Sequence, residues 1–383
     1  MPLRIVLDIR HLRDFGPGTY IRNLIRGLAA VDTVNHYSLA SATADTPDLP
    51  PLPQNFELAI YHPPSRPLMD HVSYPWFLRS LAPDLVHMPV NEVPLLMPKP
   101  YVVTIHDMSN FLFGGGSGMR ENYRLYRFRR GLLQADRVIA VSEATQRDVE
   151  NLLAVPSQRI RTIYSAPDPR FYGTGDPQIE DALEPKRQKL LERFQISYPF
   201  ILYAGRIRPH KNIPRLIEAF AVVRNELENH PVYRDLRLII IGDEISKHPE
   251  VRRAVVQTRN QQYVRFFGFV PFDTLRIIYS SAAVFAFPSL YEGFGLPPLE
   301  AMATGTPVVT SSVSSLPEVV GDAAMVVNPE NVFDIARGLR ELLLDDDLRQ
   351  RVITAGYLQA RRFDWKRTAE QVLEVYQEVA RKR

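Results

Sequence analysis

Short apolar runs alternate with longer stretches of helical periodicity along almost the whole chain, a pattern that predicts βαβ units and parallel sheets. Residues 3–9 (LRIVLDI) read as a first strand, followed by a turn at Gly16, Pro17 and Gly18 and an amphipathic helix over 19–28. Further strands are expected at 85–88, 101–105 and 138–141, each ending at polar or turn residues. Ser142 stands where a helix N-cap belongs, with Glu143 too early to complete a capping box. Between 172 and 199 the texture changes. GTGDPQIEDALEP is polar and turn-rich, an interdomain linker ahead of a short helix near 186–194. A second alternating series then runs through 200–203, 236–241, 264–267, 284–287, 308–309 and 324–327, and the chain closes on helical patterns over 332–344, 347–360 and 365–381. Two parallel-sheet domains follow, 1–172 and 196–364, joined by a linker and connecting helix over 173–195. The absence of an internal repeat excludes a solenoid.

Composition narrows the class. The 383 residues are 45% hydrophobic and 23% charged, which excludes a largely disordered chain and lets each domain bury a core. A net charge of +3 does not call for a nucleic-acid partner, and none is expected. Arginine dominates the basic side, 39 residues against 7 lysines. With no cysteine there is no disulfide framework, thiolate nucleophile or thiolate metal site. Charges at Arg4, Asp8 and Arg10 interrupt any secretory signal, and no uncharged run reaches the length of a membrane span. The expectation is a cytoplasmic multi-domain protein.

Open parallel sheets bind ligands beyond the carboxyl ends of their strands, so strand-to-loop transitions are the places to look. Residues 288–300 (PSLYEGFGLPPLE) follow an apolar strand, carry Gly293 and Gly295, and enter a helix with Pro297 and Pro298 in its first turn. Glycines admit a ligand close to backbone N–H groups, and a helix N-terminus favours an anion. Glu292 and Glu300 bracket that loop with seven residues between them, two acceptor-only groups suited to sugar hydroxyls; the plainer reading has Glu300 capping its own helix and Glu292 solvated. Residues 205–212 (GRIRPHKN) place Arg206, Arg208 and Lys211 at another strand end, a diphosphate-binding loop or a solvated basic face. The Gly16–Gly18 turn lacks the full G-x-G-x-x-G fingerprint, because its sixth position is Ile21, and an ordinary tight turn explains it equally. His106 and Asp107 end the 101–105 strand as TIHD, a catalytic or a structural pair. Asp345, Asp346 and Asp347 fit helix capping better than a metal site. The segment from Met119 to Asp136 interleaves five arginines with Tyr123, Tyr126 and Phe128; it either packs on its own domain or lies on an anionic membrane surface. The run GGGSG over 114–118 reads as a mobile loop near the His106 strand end.

Taken together these motifs resemble the retaining glycosyltransferases of family GT4. FPSLYEGFGLPPLEAMATGTPVVTSSVSSLPEV (287–319) is similar to the family's E-x7-E region, and YAGRIRPHKN, GFVPFDTL, TIHD, VSEATQRDV and DFGPGTY follow the family pattern in order. The resemblance implies an α/β protein of GT-B architecture. Two Rossmann-like parallel-sheet domains would face each other across a cleft, with the C-terminal helix, 365–383, crossing back to the N-terminal, acceptor-side domain. It further implies that Arg206 and Lys211 grip the diphosphate of a nucleotide sugar, that Glu300 binds the ribose, and that Glu292 contacts the donor sugar. Gly205, Gly293, Phe294, Gly295 and Leu296 would line the donor with backbone groups. Backbone near Phe269 and Val270 would read the base, and Gly16 and Gly18 would approach the diphosphate. His106 would reach the donor sugar and Asp107 the acceptor. Ser165, Ala166 and Pro167 stand where the family usually shows Asn-Gly-Val.

The expected activity is metal-independent transfer of a hexose from a nucleotide diphosphate sugar, GDP-mannose before UDP-glucose, to a saccharide or lipid-linked saccharide with retained configuration. No cofactor is expected, and the protein would be cytoplasmic or peripheral at the inner face of the cell membrane. The competing readings are a UDP-glucose-dependent enzyme of the same family, a phosphorylase or epimerase of the same fold, and a nucleotide-sugar-binding scaffold without transfer activity.

Overall fold

Continuous β-branched and aromatic runs make the central strands, because a parallel strand covered on both faces needs no polar side. The computed structural model describes residues 2–381 except 15, 45, 47, 48, 66, 92, 95, 115–117 and 173–176. The core of the expected GGGSG loop therefore lies outside the described residues, as does the start of the linker. Two compact units divide the chain, Met1–Ala166 with Phe363–Arg383, and Pro167–Arg362. The boundary falls within the Ser165-Ala166-Pro167 segment.

In the first unit the strands are β1 (Arg4–Asp8), β2 (His36–Ser41), β3 (Phe56–Ile60), β4 (Leu85–Met88), β5 (Tyr101–Ile105), β6 (Arg137–Ala140) and β7 (Ile160–Thr162). They form one parallel sheet in the order β3-β2-β1-β4-β5-β6-β7. The C-terminal helix Trp365–Arg381 belongs to this unit. Gly27 admits it, since a Cβ there would stand 2.7 Å from the Trp365 carbonyl oxygen. Glu374 pairs with Arg161 at 2.7 Å and Glu378 with Arg137, while the Tyr376 hydroxyl meets His87 Nδ1 at 2.6 Å.

The second unit holds β8 (Phe200–Ala204), β9 (Arg237–Ile241), β10 (Val264–Phe267), β11 (Val284–Phe287), β12 (Val308–Ser311) and β13 (Met325–Val327) in the parallel order β10-β9-β8-β11-β12-β13. The order reverses between β8 and β11, the switch point where open α/β sheets take their ligands. The connecting helix is longer than expected, Pro177–Arg193, because Pro177 takes the first helical position, where a missing N–H is harmless. Two proposed caps are present: Ser142 Oγ accepts from the Thr145 N–H at 2.9 Å, and Asp345 Oδ1 from the Leu348 N–H at 2.8 Å.

Candidate functional site

The loops leaving β8 and β11 meet at the switch point of the second unit. Gly205 continues the sheet by donating its N–H to the Ile241 carbonyl at 2.9 Å. Beyond it, the Tyr203 hydroxyl holds the Arg206 carbonyl at 3.1 Å, and the Ile207 N–H donates to Asp243 Oδ2 at 3.0 Å. Arg206 itself is exposed. A short 3₁₀ turn, Pro209–Lys211, then brings Lys211 back over the sheet. There its ammonium donates to Glu292 Oε1 at 2.6 Å, joining the basic loop to the acid of the other loop. Both side chains are largely buried, so the pair forms in a low-dielectric place where each charge needs the other.

Asn212 makes that approach rigid. Buried, with a left-handed φ of 61°, it donates its amide to the Pro288 carbonyl at 3.0 Å and the Pro329 carbonyl at 2.7 Å, tying together the loops after β8, β11 and β13. The His210 carbonyl accepts from the Leu290 N–H at 2.7 Å.

Two serines after β12 hold the Glu292 loop from the other side. Ser314 Oγ donates to the Glu292 carbonyl at 2.6 Å and accepts from the Glu292 N–H at 3.2 Å, and Ser315 Oγ reaches the carbonyls of Glu292 and Phe294 at 2.9 and 2.6 Å. Ser314 keeps a φ of 60° to do so, a conformation that costs a non-glycine residue about 1–2 kcal/mol. The sequence places these serines and Asn212 within motifs, Ser314 and Ser315 in a stretch (SSLPE, 314–318) that resembles bacterial mannosyltransferases of polysaccharide assembly, but does not reveal that they clamp these loops. Gly295 has a φ of 120°, and a Cβ there would press on Leu316 Cδ2 at 2.9 Å, so only glycine lets the loop enter the helix Leu296–Ala303. Pro297 and Pro298 remove two of that helix's first N–H groups. An anion here must therefore use the loop from Gly293 to Leu296 more than the helix end.

Glu300, inside that helix, accepts from the Tyr279 hydroxyl at 3.2 Å rather than capping its own helix. Burial pushes its carboxyl up to about 8, partly offset by the Tyr279 hydrogen bond. Glu292 and Glu300 are thus held by different partners, a cation and a phenol. After β10, Val270 is buried and Phe269 is 75% exposed.

Gly16, Gly18, His106 and Asp107 lie in the first unit. Gly16, with φ 78°, caps the helix Pro17–Val31 and is exposed, whereas Gly18 is buried, and a Cβ there would stand 2.3 Å from the Leu12 carbonyl oxygen. Gly18 is therefore required by packing. His106 Nε2 lies 2.8 Å from the Pro89 carbonyl, which can only accept, so Nε2 carries the hydrogen and Nδ1 is the basic nitrogen. Burial lowers the His106 pKa, against smaller opposing effects of Pro89 and Asp107. Asp107 Oδ1 accepts from the Ser109 N–H and hydroxyl at 2.8 and 2.5 Å. Behind them His87, lowered to about 3 by burial and by His106, bridges Tyr376 and Thr104 and is part of the core. Among the described residues no group of three or more metal-ligating side chains is assembled.

Residues 187–359 match the model for glycosyl transferases group 1 and residues 16–171 the model for glycosyltransferase family 4. The O-antigen chain mannosyltransferase B of Escherichia coli is 31% identical over 79% of this chain and 76% of its own length. The serotype-specific mannosyltransferase WbdA of Escherichia coli is 29% identical over 78% of this chain, which spans only 37% of that longer protein. Among solved structures, Anabaena HepE in complex with UDP-glucose gives a TM-score of 0.75 at 18% identity, covering 98% of this chain and 100% of that one. With two Rossmann-like sheets, the basic and acidic loops joined at a switch point, and a relative this similar over most of both chains, the chain belongs to the group 1, family 4 glycosyltransferases of GT-B fold.

Proposed function

We propose that this glycosyltransferase moves mannose from GDP-mannose to a saccharide or lipid-linked saccharide, with retention of configuration and without a metal ion. The observation that carries the reading is the Lys211–Glu292 pair at the β8/β11 switch point, a cation and an acceptor-only acid held 2.6 Å apart on glycine-bordered loops. An ammonium has three N–H donors, so Lys211 can keep Glu292 and take a phosphate oxygen together. Breaking the glycosyl–phosphate bond leaves positive charge at the anomeric carbon and negative charge on the departing diphosphate. Arg206, Lys211 and N–H groups between Gly293 and Leu296 offset the latter. Glu292 holds hydroxyls of the sugar, Glu300 those of the ribose, and backbone around Phe269 and Val270 meets the base. His106 is assigned to the transferred sugar and Asp107 to the acceptor. The acceptor oxygen attacks the anomeric carbon on the face the diphosphate leaves, and the leaving phosphate oxygen takes its proton, so no protein nucleophile is consumed.

The mannose preference is supported by the O-antigen mannosyltransferases among the relatives. UDP-glucose is the second reading, supported by the HepE complex of similar fold. Peripheral membrane contact through Met119 to Asp136 accompanies a lipid-linked acceptor. Thermal denaturation with GDP-mannose, UDP-glucose, GDP and UDP, each with and without EDTA, tests the donor. A bound ligand raises the midpoint with its concentration over Kd. A shift with the guanosine pair alone, unchanged by EDTA, is expected. A uridine-only shift selects the second reading, and binding of either without transfer to any saccharide primer leaves a scaffold. Glu292→Gln with unaltered transfer would remove the site assignment.

A further inference from the structure

One side chain pins the backbone on either side of the His106 ring. Asn91, just past β4, accepts from the His106 N–H through Oδ1 at 3.2 Å and donates its amide to the Asp107 carbonyl at 2.8 Å. That fixes where the histidine leaves β5, but the ring can still turn about its side-chain torsions. The bond from Nε2 to the Pro89 carbonyl holds the ring at one point, and one point does not set a plane. Tyr20, in the helix Pro17–Val31, supplies the second constraint. Its ring centroid lies 4.8 Å from that of His106 at an interplanar angle of 79°, an edge-to-face contact.

Tyr20 is in turn held by the C-terminal helix. Trp365, the first residue of that helix, stands 5.5 Å from Tyr20 at 71°, so three rings run edge to face from the helix to the histidine. Tyr20 and Trp365 are both buried, and in a close-packed interior neither turns without moving its neighbours. Thr368 anchors this end of the helix, its hydroxyl donating to the Tyr164 carbonyl at 2.8 Å just beyond β7. Further along the same helix Tyr376 meets His87, whose Nε2 lies 2.8 Å from Thr104 Oγ1, two residues before His106 on β5. The Tyr20 hydroxyl lies 3.4 Å from that same oxygen. The helix thus reaches the His106 strand end by two routes, one of rings and one of hydrogen bonds. Aliphatic side chains can fill a gap between two helices; flat rings at steep angles also fix the plane of the last ring in the row.

We propose that Tyr20 and Trp365 are positioning residues for the transfer: through them the C-terminal helix sets the plane of the His106 ring, and so the direction in which Nδ1 meets the transferred sugar. This deepens the proposed function and rests on its assignment of His106 to that sugar. The geometry is demanding, because misplacing a reacting group by about 1 Å costs roughly a hundredfold in rate. Neither Tyr20 nor Trp365 touches the sugar; each acts through the histidine.

Steady-state kinetics of the full chain, with GDP-mannose or UDP-glucose and a saccharide primer, test this on Tyr20→Leu, Tyr20→Phe, Trp365→Leu and His106→Asn. Tyr20→Leu should lower kcat roughly ten- to a hundredfold. The Kd of GDP or UDP by calorimetry should stay at the wild-type value, because the groups assigned to base, ribose and phosphate belong to the second unit. Tyr20→Phe keeps the ring and loses only the long contact with Thr104, so it should retain most of kcat. In a His106→Asn background, Tyr20→Leu should cost nothing further. Losses that multiply instead, or a folded Tyr20→Leu that turns over like wild type, overturn the proposal and leave His106 its assignment. A His106→Asn variant that turns over like wild type removes that assignment, and the proposal falls with it. If Tyr20→Leu does not fold, Trp365→Leu, one ring further from the histidine, is judged by the same kinetics. Nitrogen NMR of histidine-labelled protein reads the ring without turnover, the His106 signal being identified by its loss in His106→Asn. Wild type should show a single protonated Nε2, and Tyr20→Leu or Trp365→Leu an exchange of the proton between the two ring nitrogens. A His106 signal unchanged in both variants also overturns the proposal.

Discussion

Glu300→Gln removes one ionisation from the interior of the second unit and keeps the shape of the side chain. Burial holds the Glu300 carboxyl at about 8 against an ordinary 4.5. Each pKa unit is worth about 1.4 kcal/mol, so ionised Glu300 opposes folding by at most about 5 kcal/mol. Glu300 keeps some solvent access and Tyr279 donates to its Oε2, which screens part of this; about 2–4 kcal/mol is the working figure. The folded-state pKa is raised, so the contribution of the neutral carboxyl is complete below about 4.5. It is lost as pH climbs to about 8 and does not change further above that. Glutamine does not titrate and still accepts from Tyr279. Melting curves of the two proteins should therefore nearly coincide at pH 4.5–5 and separate by roughly 5–10 °C at pH 9, the variant higher.

Nucleotide binding should move the other way. If Glu300 holds ribose hydroxyls, then at pH 9, where its carboxyl is ionised, replacing the charged acceptor by an amide costs about 1.5–3 kcal/mol, or roughly ten- to a hundredfold in Kd for the nucleoside diphosphate by calorimetry. A more stable protein that binds less tightly is the signature of a group kept for its ligand. An equal stability gap at both pH values refutes the burial argument. Stability and affinity falling together would make Glu300 a structural brace.

Three other outcomes follow from the same geometry. Lys211→Met strands Glu292 and should destabilise the protein by about 1–3 kcal/mol, while Lys211→Met with Glu292→Gln recovers that loss in urea unfolding without restoring donor binding; no recovery in the double variant would show that the pair's mutual charge is not what matters. Ser314→Ala should lose about 1–2 kcal/mol in the same assay and raise the donor KM more than it lowers kcat, and Ser314→Gly, free of the left-handed penalty, should regain about 1 kcal/mol of stability but not the KM; donor KM values equal to wild type in both would sink the serine clamp. With its pKa lowered by burial, His106 stays neutral through pH 6.5–8, so kcat/KM should show no histidine inflection near 6.5, and finding one would contradict the buried neutral ring.

The central strands were legible because a run such as FILYA or VFAF has only one comfortable place, between two layers of helix. The flanking strands of the first sheet were not, although β10 and β13 at the edges of the second were. β2 (HYSLAS), β3 (FELAI) and β7 (IRT) mix polar and apolar positions over three to six residues, and the neighbours that make them strands are set by topology. The helix Pro67–Ser80 was missed for a different reason: Pro75 inside it reads as a breaker, and its apolar residues split between a buried face and the exposed Met69–Val72–Trp76 stripe, which blurs the periodicity.

At the site the division is sharper. Lys211, Glu292 and Glu300 could be singled out from sequence because they stand in the loops that leave two apolar strands, or in the helix entered from one of them, where an open parallel sheet takes its ligand. Asn212, Ser314 and Ser315 could not, because each works on backbone groups far away in the chain: Asn212 on carbonyls 76 and 117 residues on, Ser314 on a peptide 22 residues back. Such bonds leave no spacing to read, since any loop carbonyl can accept and only the fold decides which is near. Yet these three side chains decide whether Lys211 and Glu292 stand 2.6 Å apart or drift, and an electrostatic site loses its advantage when its charges must reorganise during the reaction. Variants of Ser314 and Asn212 are therefore expected to reproduce much of the loss expected of Glu292→Gln while every charged residue of the site is still in place.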